Sequence, residues 1–310
     1  MLAILKTTST GLDRLEEFEP GSWIDLVSPT EEELRRVSGE LGIPLDLLKG
    51  PLDEEEKSRI DMEDGLTHVI VDIPILVREE DEQSYTTIPL GMLVHPDFFI
   101  TTCLRPNPIL GEFERGTVRS FATFKKTRFL FQILQQISAF YLRYLGRIDR
   151  ETDKLERELR VSMKNAEIFD LLTLQKALVY FTTSLRSNEA VLTKLMRTKA
   201  VKMYEEDEDL LEDVIVENKQ ASEMAKIYTD ILTGMMDAFT SVISNNLNRV
   251  MKLLTSITII LSIPVIVSSF YGTNVKLPFQ NYTHAFTLII VIAFVISLGF
   301  FLVFWRKRYL

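Results

Sequence analysis

Residues 268–284, SSFYGTNVKLPFQNYTH, separate two long uncharged runs, Leu253–Phe270 of eighteen residues and Ala285–Trp305 of twenty-one. The hydrocarbon core of a bilayer takes roughly 20 residues of helix, so both runs read as transmembrane helices joined by a short connection. A buried core helix meets the same length rule. Two such runs side by side at the end of the chain favour the membrane.

Charge divides the 310 residues in the same place. Residues 251–310 hold no Asp or Glu and five bases, Lys252, Lys276, Arg306, Lys307 and Arg308, whereas residues 1–250 hold all 44 acids against 30 of the 35 bases. The first part is net −14 and the last net +5. Arg249 and Lys252 precede the first span, Arg306, Lys307 and Arg308 follow the second, and Lys276 alone lies between. Basic residues gather on the cytoplasmic side, which predicts a multi-pass protein of the cell (plasma or inner) membrane with both termini cytoplasmic. The opening MLAILKTTSTGLDRLEEF has too short an apolar run for a signal peptide. One cysteine, Cys103, provides no disulfide framework and reads as a small buried apolar residue.

All prolines but two lie at or before Pro108, and none falls between Ile109 and Ile263. The gap is a helix signal. Ahead of it, Trp23–Val27 reads as a strand and the following segment as a helix with Ser28, Pro29 and Glu31 in capping-box positions. LTHVIVDIPIL and DFFITTCL are strand-like, and REEDEQSYTTIPLGMLV suggests a hairpin or a further strand pair. The predicted order is a cytoplasmic α/β domain over 1–115 and a cytoplasmic antiparallel helical pair over 116–203, helical from about Val118 with a turn near Lys164–Asn165. A stalk helix over 204–270 continues into the first span; a loop over 271–284, the second span over 285–305 and a basic cytoplasmic tail over 306–310 follow.

The stalk would be about 66 residues, roughly 100 Å at 1.5 Å per residue. Val214, Ala221, Tyr228, Met235 and Val242 recur every seven residues, with Met224, Ile231 and Ala238 between them, a coiled-coil-like seam. Placed at about 100° per residue, Asn248, Met251, Thr255, Thr258, Ser262, Ser269 and Thr273 fall on one side of the first span, with Ile266 completing the row. Small hydroxyl residues in a membrane helix pack against neighbours and bond back to their own carbonyls. They also line pores, because polar groups in hydrocarbon are costly unless they face water or protein. Two spans cannot enclose a water path, so a pore requires several copies, and the seam offers a way to assemble a symmetric ring.

The sequence resembles the CorA-type magnesium channels. The resemblance rests on a long helix entering the first span, Pro264 inside that span, YGTN (Tyr271–Asn274) at its end, a short loop, a second span and the tail WRKRYL. WIDLVSPTEEE and FFITTC resemble the family's cytoplasmic domain. The family signature is Gly-Met-Asn, and here it is Gly272-Thr273-Asn274. Gly permits a tight turn out of a helix, and the Asn274 carbonyl can accept hydrogen bonds from a hydrated cation. The resemblance implies a homopentameric, funnel-like channel for Mg²⁺, with Co²⁺ and Ni²⁺ as further cargo. In it Asn274 is the principal selectivity ligand, and the Gly272 backbone, Thr273 and Tyr271 complete the turn. Asn248, Thr255, Thr258, Ser262 and Ser269 line the path, Met251 and Leu254 form a hydrophobic gate, and Lys252, Arg306, Lys307 and Arg308 form a basic ring. The family's regulation by cytoplasmic Mg²⁺ between subunits places Asp213 as a ligand, and 204–213 reads equally well as a solvated acidic helix start.

A related transporter of Zn²⁺ or another divalent ion is an alternative, with His284 as the residue to test. Zn²⁺ stripped of water favours His or Cys, and His68, His95, His284 and Cys103 show no paired ligand spacing. A membrane-anchored sensor or scaffold is a reading of a different class. No Ser-His-Asp, Cys-His or phosphate-loop pattern suggests an enzyme, and the acidic body argues against nucleic acid.

Overall fold

The protein is described by a computed structural model covering residues 1–9, 11–63, 65–79, 82–162, 165–275, 278 and 283–309. It divides into two compact units, Met1–Thr233 and Gly234–Leu310.

The first unit is built on a seven-stranded sheet, β1 (Leu2–Thr7), β2 (Leu12–Leu15), β3 (Trp23–Val27), β4 (Arg59–Glu63), β5 (Leu66–Glu79), β6 (Glu82–Val94) and β7 (Phe99–Cys103), in the order β2-β1-β3-β7-β6-β5-β4. The β3–β7 pair is parallel and its neighbours are antiparallel. Both faces of the central strands are covered, which is why β3 and β7 read as nearly unbroken apolar runs. Ile24, Leu26, Leu93 and Ile100 meet Leu34 and Val37 of α1 (Glu31–Leu41) and Leu48 of α2 (Leu45–Lys49) on one side. On the other, Trp23 packs edge-on against Phe129 at 5.1 Å between ring centroids, and Phe99 lies 4.5 Å from the same ring. Phe113 of α3 (Pro108–Glu114) joins them at 5.2 Å.

The cap of α1 falls two residues later than the sequence suggested. Thr30 is the N-cap: its Oγ1 accepts from Glu33 N at 3.2 Å while Glu33 Oε2 accepts from Thr30 N at 2.9 Å. Ser28 has left the helix path, with φ of 44° and its hydroxyl donating to the Leu104 carbonyl at 2.5 Å.

Two long helices close the sheet, α4 (Lys126–Ser162) and α5 (Asn165–Thr198). They run antiparallel, with Tyr141 against Phe181 at 5.1 Å. The expected turn near Lys164–Asn165 falls partly outside the described residues, and α4 starts at Lys126 rather than Val118 because turns occupy the segment between. Beyond Ile70, β5 has no partner strand on its outer side among the described residues. There α5 supplies a side chain instead: Asn188 Oδ1 accepts from Asp72 N at 2.9 Å and Asn188 Nδ2 donates to Asp72 O at 2.8 Å, while Tyr141 of α4 donates to the same carbonyl at 3.0 Å. An amide side chain therefore finishes a sheet edge that would otherwise be unpaired.

Helix α6 runs unbroken from Glu205 to Tyr271, 67 residues. In the first unit it buries Leu211, Val214, Ala221, Ala225 and Leu232 completely, and Asn218 Nδ2 donates to the Leu185 carbonyl of α5 at 3.1 Å. This corrects the predicted seam. Val214 and Ala221 serve packing within the chain, while Ile231 and Val242 are exposed. A seven-residue step drifts by about 20° per repeat on a straight helix, so one row of residues cannot face one neighbour along the whole length.

The second unit contains the rest of α6 and α7 (Ala285–Arg306), both long and apolar enough to cross a membrane. Neither is a buried core helix: Leu261 is 65% exposed, Val265 64% and Phe294 64%. The 22 residues of α7 extend about 33 Å, a match to a hydrocarbon core of about 30 Å.

Candidate ion pathway

On α6 the buried and half-buried positions beyond residue 255 include Ser256, Ile260, Ile263 and Val267. They share one face, and α7 packs there: Ser256 and Ala293 are both buried, and Ser297 Oγ donates to the Ile260 carbonyl over a long 3.5 Å. That carbonyl lacks its helical partner because Pro264, four residues on, has no N–H. A hydroxyl from the neighbouring helix takes the vacant role, as polar satisfaction in a bilayer requires.

The polar row lies on another side, about 130° around the helix. Asn248, Met251, Thr255, Thr258, Ser269 and Thr273 are exposed and Ser262 is half-exposed. Leu254, at the edge of the row, is also exposed. Thr258 Oγ1 donates to Leu254 O at 2.8 Å and Ser262 Oγ to Thr258 O at 2.8 Å. With their protons committed to carbonyls, these hydroxyls turn only oxygen lone pairs outward. The back-bonding anticipated for packing hydroxyls therefore also makes them acceptors for the O–H groups of water around a cation.

At the end of α6, Gly272 N donates to Ser268 O at 2.9 Å, and Thr273 Oγ1 to Phe270 O at 2.7 Å. Gly272 is not in the left-handed region, and a Cβ there would sit 3.4 Å from Ser268 O, at ordinary contact distance. The backbone of Gly272 here is one that other residues also adopt. Asn274 is exposed one residue past Thr273, and Tyr271 Oη donates to Pro278 O at 3.3 Å. Lys276, Leu277 and Phe279–Tyr282 of the quoted stretch lie outside the described residues.

The predicted basic ring is brought together only in part. Lys252 Nζ stands 5.6 Å from the centroid of the Tyr309 ring, and Lys252 and Arg308 line one cleft, which does not include Arg306 or Lys307. In the first unit Asp213 is exposed on α6, and Glu217 sits one helical turn on. Burial and then the Asp213 charge push the Glu217 carboxyl above its usual range, a proximity the sequence reading did not use. Among the described residues no three His, Cys, Asp or Glu side chains converge on a point where a metal could sit. The histidines serve elsewhere. His68 is buried opposite Asp61 on β4, where burial and then Arg59 lower its pKa to about 4. His95 Nδ1 accepts from Asp97 N at 3.0 Å, and His284 is the N-cap residue of α7.

An α/β body followed by two lipid-length helices, the first bearing a polar face that its own partner leaves open, defines a membrane transport protein. The chain belongs to the CorA-like Mg²⁺ transporter protein family, which matches it over residues 19–308. A cobalt/magnesium transport protein CorA of Methanocaldococcus jannaschii is 30% identical, with 100% of this chain and 99% of that one covered. The complete structure of that organism's CorA magnesium transporter superposes with a TM-score of 0.87 at 29% identity, covering 100% of this chain and 99% of the other. The ZntB cytoplasmic domain of Vibrio parahaemolyticus, at 12% identity and a TM-score of 0.60 over 78% of this chain and 98% of its own, shares the fold alone.

Proposed function

We propose that this chain is a subunit of a homopentameric channel carrying hydrated Mg²⁺, and Co²⁺ or Ni²⁺ with it, down the membrane potential. The observation that supports this most is the placement of α7 on the face of α6 away from the polar row. A row of Asn, Thr and Ser turned to hydrocarbon would be costly; turned to the same row of other copies, it lines water. The exposed Ile231 and Val242 remain available for contacts between stalks.

Mg²⁺ gives up its water reluctantly. A ring of Asn274 carbonyl oxygens, set by Gly272 and Thr273 and tied back through Tyr271, holds the ion through its hydration shell, where carboxylates would bind too tightly for release. Asn248, Thr255, Thr258, Ser262 and Ser269 continue the acceptor surface, and Met251 and Leu254 close it by dewetting. With both termini cytoplasmic, entry at −100 mV gains a divalent ion roughly 4.6 kcal/mol, at about 2.3 per charge, so passive influx needs no ATP. Cytoplasmic Mg²⁺ then acts as a brake between subunits, with Asp213 as one ligand and the rest drawn from a neighbouring copy. Several weak sites together supply the roughly 5.5 kcal/mol that swings a two-state gate.

The test is uptake of Mg²⁺, Co²⁺, Ni²⁺ and Zn²⁺ into proteoliposomes with an inside-negative potential. Mg²⁺ influx is expected in the wild type, lost in an intact Asn274→Ala oligomer, and kept in Thr273→Met. No flux of any ion from intact oligomers would overturn the reading in favour of a scaffold, and flux of Zn²⁺ alone would move the cargo. For the brake, Mg²⁺ is expected to protect the wild type from protease more than it protects Asp213→Lys; equal protection removes Asp213 from the site.

A further inference from the structure

At the cytoplasmic end of the second unit, α6 and the tail after α7 bound a cleft of about 790 Å³. Three cations line it, Arg249, Lys252 and Arg308, beside Asn245 and Tyr309, over a floor of Val250 and Leu253. No side-chain carboxylate exists between residues 238 and 310 to neutralise them, and no ion pair reaches them among the described residues. Three cations in one cleft repel one another, so this arrangement wants an anion. The height is also fixed: Lys252 is the last charge before the uncharged run of the first span, and Arg308 follows the second, which places the cleft at the level of lipid headgroups. Its α6 face is turned about 160° away from the polar row, so an occupant approaches from the lipid side and not from the ion path.

We propose that this cleft binds the phosphate of an anionic phospholipid of the cytoplasmic leaflet. Arg249 and Arg308 grip the phosphate oxygens through their guanidinium forks, Lys252 adds a point charge held against the Tyr309 ring, and Val250 and Leu253 meet the start of the acyl chains. The size suits a headgroup, within the 300–1,000 Å³ usual for small-molecule sites, and basic pockets beside membrane helices bind such lipids. The bound phosphate also lowers the positive potential that Mg²⁺ would meet when leaving the path. This inference rests on the membrane-spanning reading of α6 and α7 and not on the ion carried.

The test is native mass spectrometry of the full-length oligomer with phosphatidylglycerol or phosphatidylcholine added, for wild type, Arg249→Lys, Arg249→Gln and Arg249→Gln/Arg308→Gln. Wild type and Arg249→Lys are expected to retain phosphatidylglycerol, and the double variant to retain it about thirtyfold less, at the usual contribution per cation, with the single Gln variant between them. Retention by the wild type should fall as salt rises, and phosphatidylcholine should be lost from all. Equal retention of the two lipids, or of phosphatidylglycerol by wild type and double variant, would overturn the proposal. Inorganic phosphate or glycerol phosphate displacing the lipid at equal concentration would show a site for free phosphate and also overturn it. Mg²⁺ influx into phosphatidylcholine-only liposomes is read separately, so either result leaves the transport reading to its own test.

Discussion

The two halves of α6 contrast how one helix meets two solvents. Up to Thr233 it buries Leu211, Val214, Ala221, Ala225 and Leu232 and sends Asn218 into a neighbouring carbonyl; beyond Gly234 Ser256 alone is fully buried and Leu, Ile and Val are exposed along its length. In the first region water punishes apolar exposure, so packing is dense and polar side chains settle accounts within the chain. In the second, lipid is as apolar as leucine, so burial gains little and polar satisfaction dictates where helices touch.

The comparison can be broken first in the acidic body, at Asp25. Its carboxyl is fully buried, accepts from Thr101 Oγ1 at 2.5 Å, and is pushed up from 3.8 to about 7, chiefly by burial. The folded state thus keeps a proton that the unfolded chain releases from about pH 4 upward, and stability falls as pH rises toward 7, by on the order of 4 kcal/mol in all. Asp25→Asn should abolish most of that fall. Melting followed by Trp23 fluorescence in a Trp305→Phe background, at pH 5 and pH 8, is expected to show a large gap in wild type and a small one in the variant; equal gaps would mean that another group holds the proton.

A smaller break lies at the closed sheet edge. Asn188→Ala leaves the half-buried N–H of Asp72 without its acceptor and its C=O with Tyr141 alone, and about 1–2 kcal/mol of destabilisation is expected, together with faster hydrogen exchange at the Asp72 amide. Unchanged exchange would show that the edge is closed by something other than Asn188. In the second unit the smallest effect sharpens the contrast. Ser297→Ala removes one long hydrogen bond between membrane helices, worth roughly 0.6 kcal/mol. An isotope-labelled Ile260 carbonyl should shift to higher infrared frequency in that variant, and an unmoved band would mean that the serine does not hold it.

The membrane half was legible because an uncharged run of eighteen residues declares itself without reference to any partner, and because the polar row follows from helical period alone. The side on which α7 packs was not, since nothing in AFTLIIVIAFVISLGF favours one face until Ser297 is seen against Pro264. In the body, long apolar strands such as β5 were legible, while β1, β2 and β4 were not. LDRL and RIDME carry two and three charges and become strands only because a neighbour offers its ladder. Asn188 was invisible for the same reason: one of three amides in a 34-residue helix, its partner 116 residues away. The Asp213–Glu217 proximity could have been found from i,i+4 spacing, which sets like charges side by side on a helix.

The bond from Ser297 to the carbonyl that Pro264 leaves bare bears on how the protein is made. A first span entering the bilayer alone would carry that carbonyl into hydrocarbon without its hydroxyl partner. Insertion of the two spans together as a hairpin avoids that exposure, and the connection from Gly272 to His284 keeps the second helix within reach of the first from the moment it is synthesised.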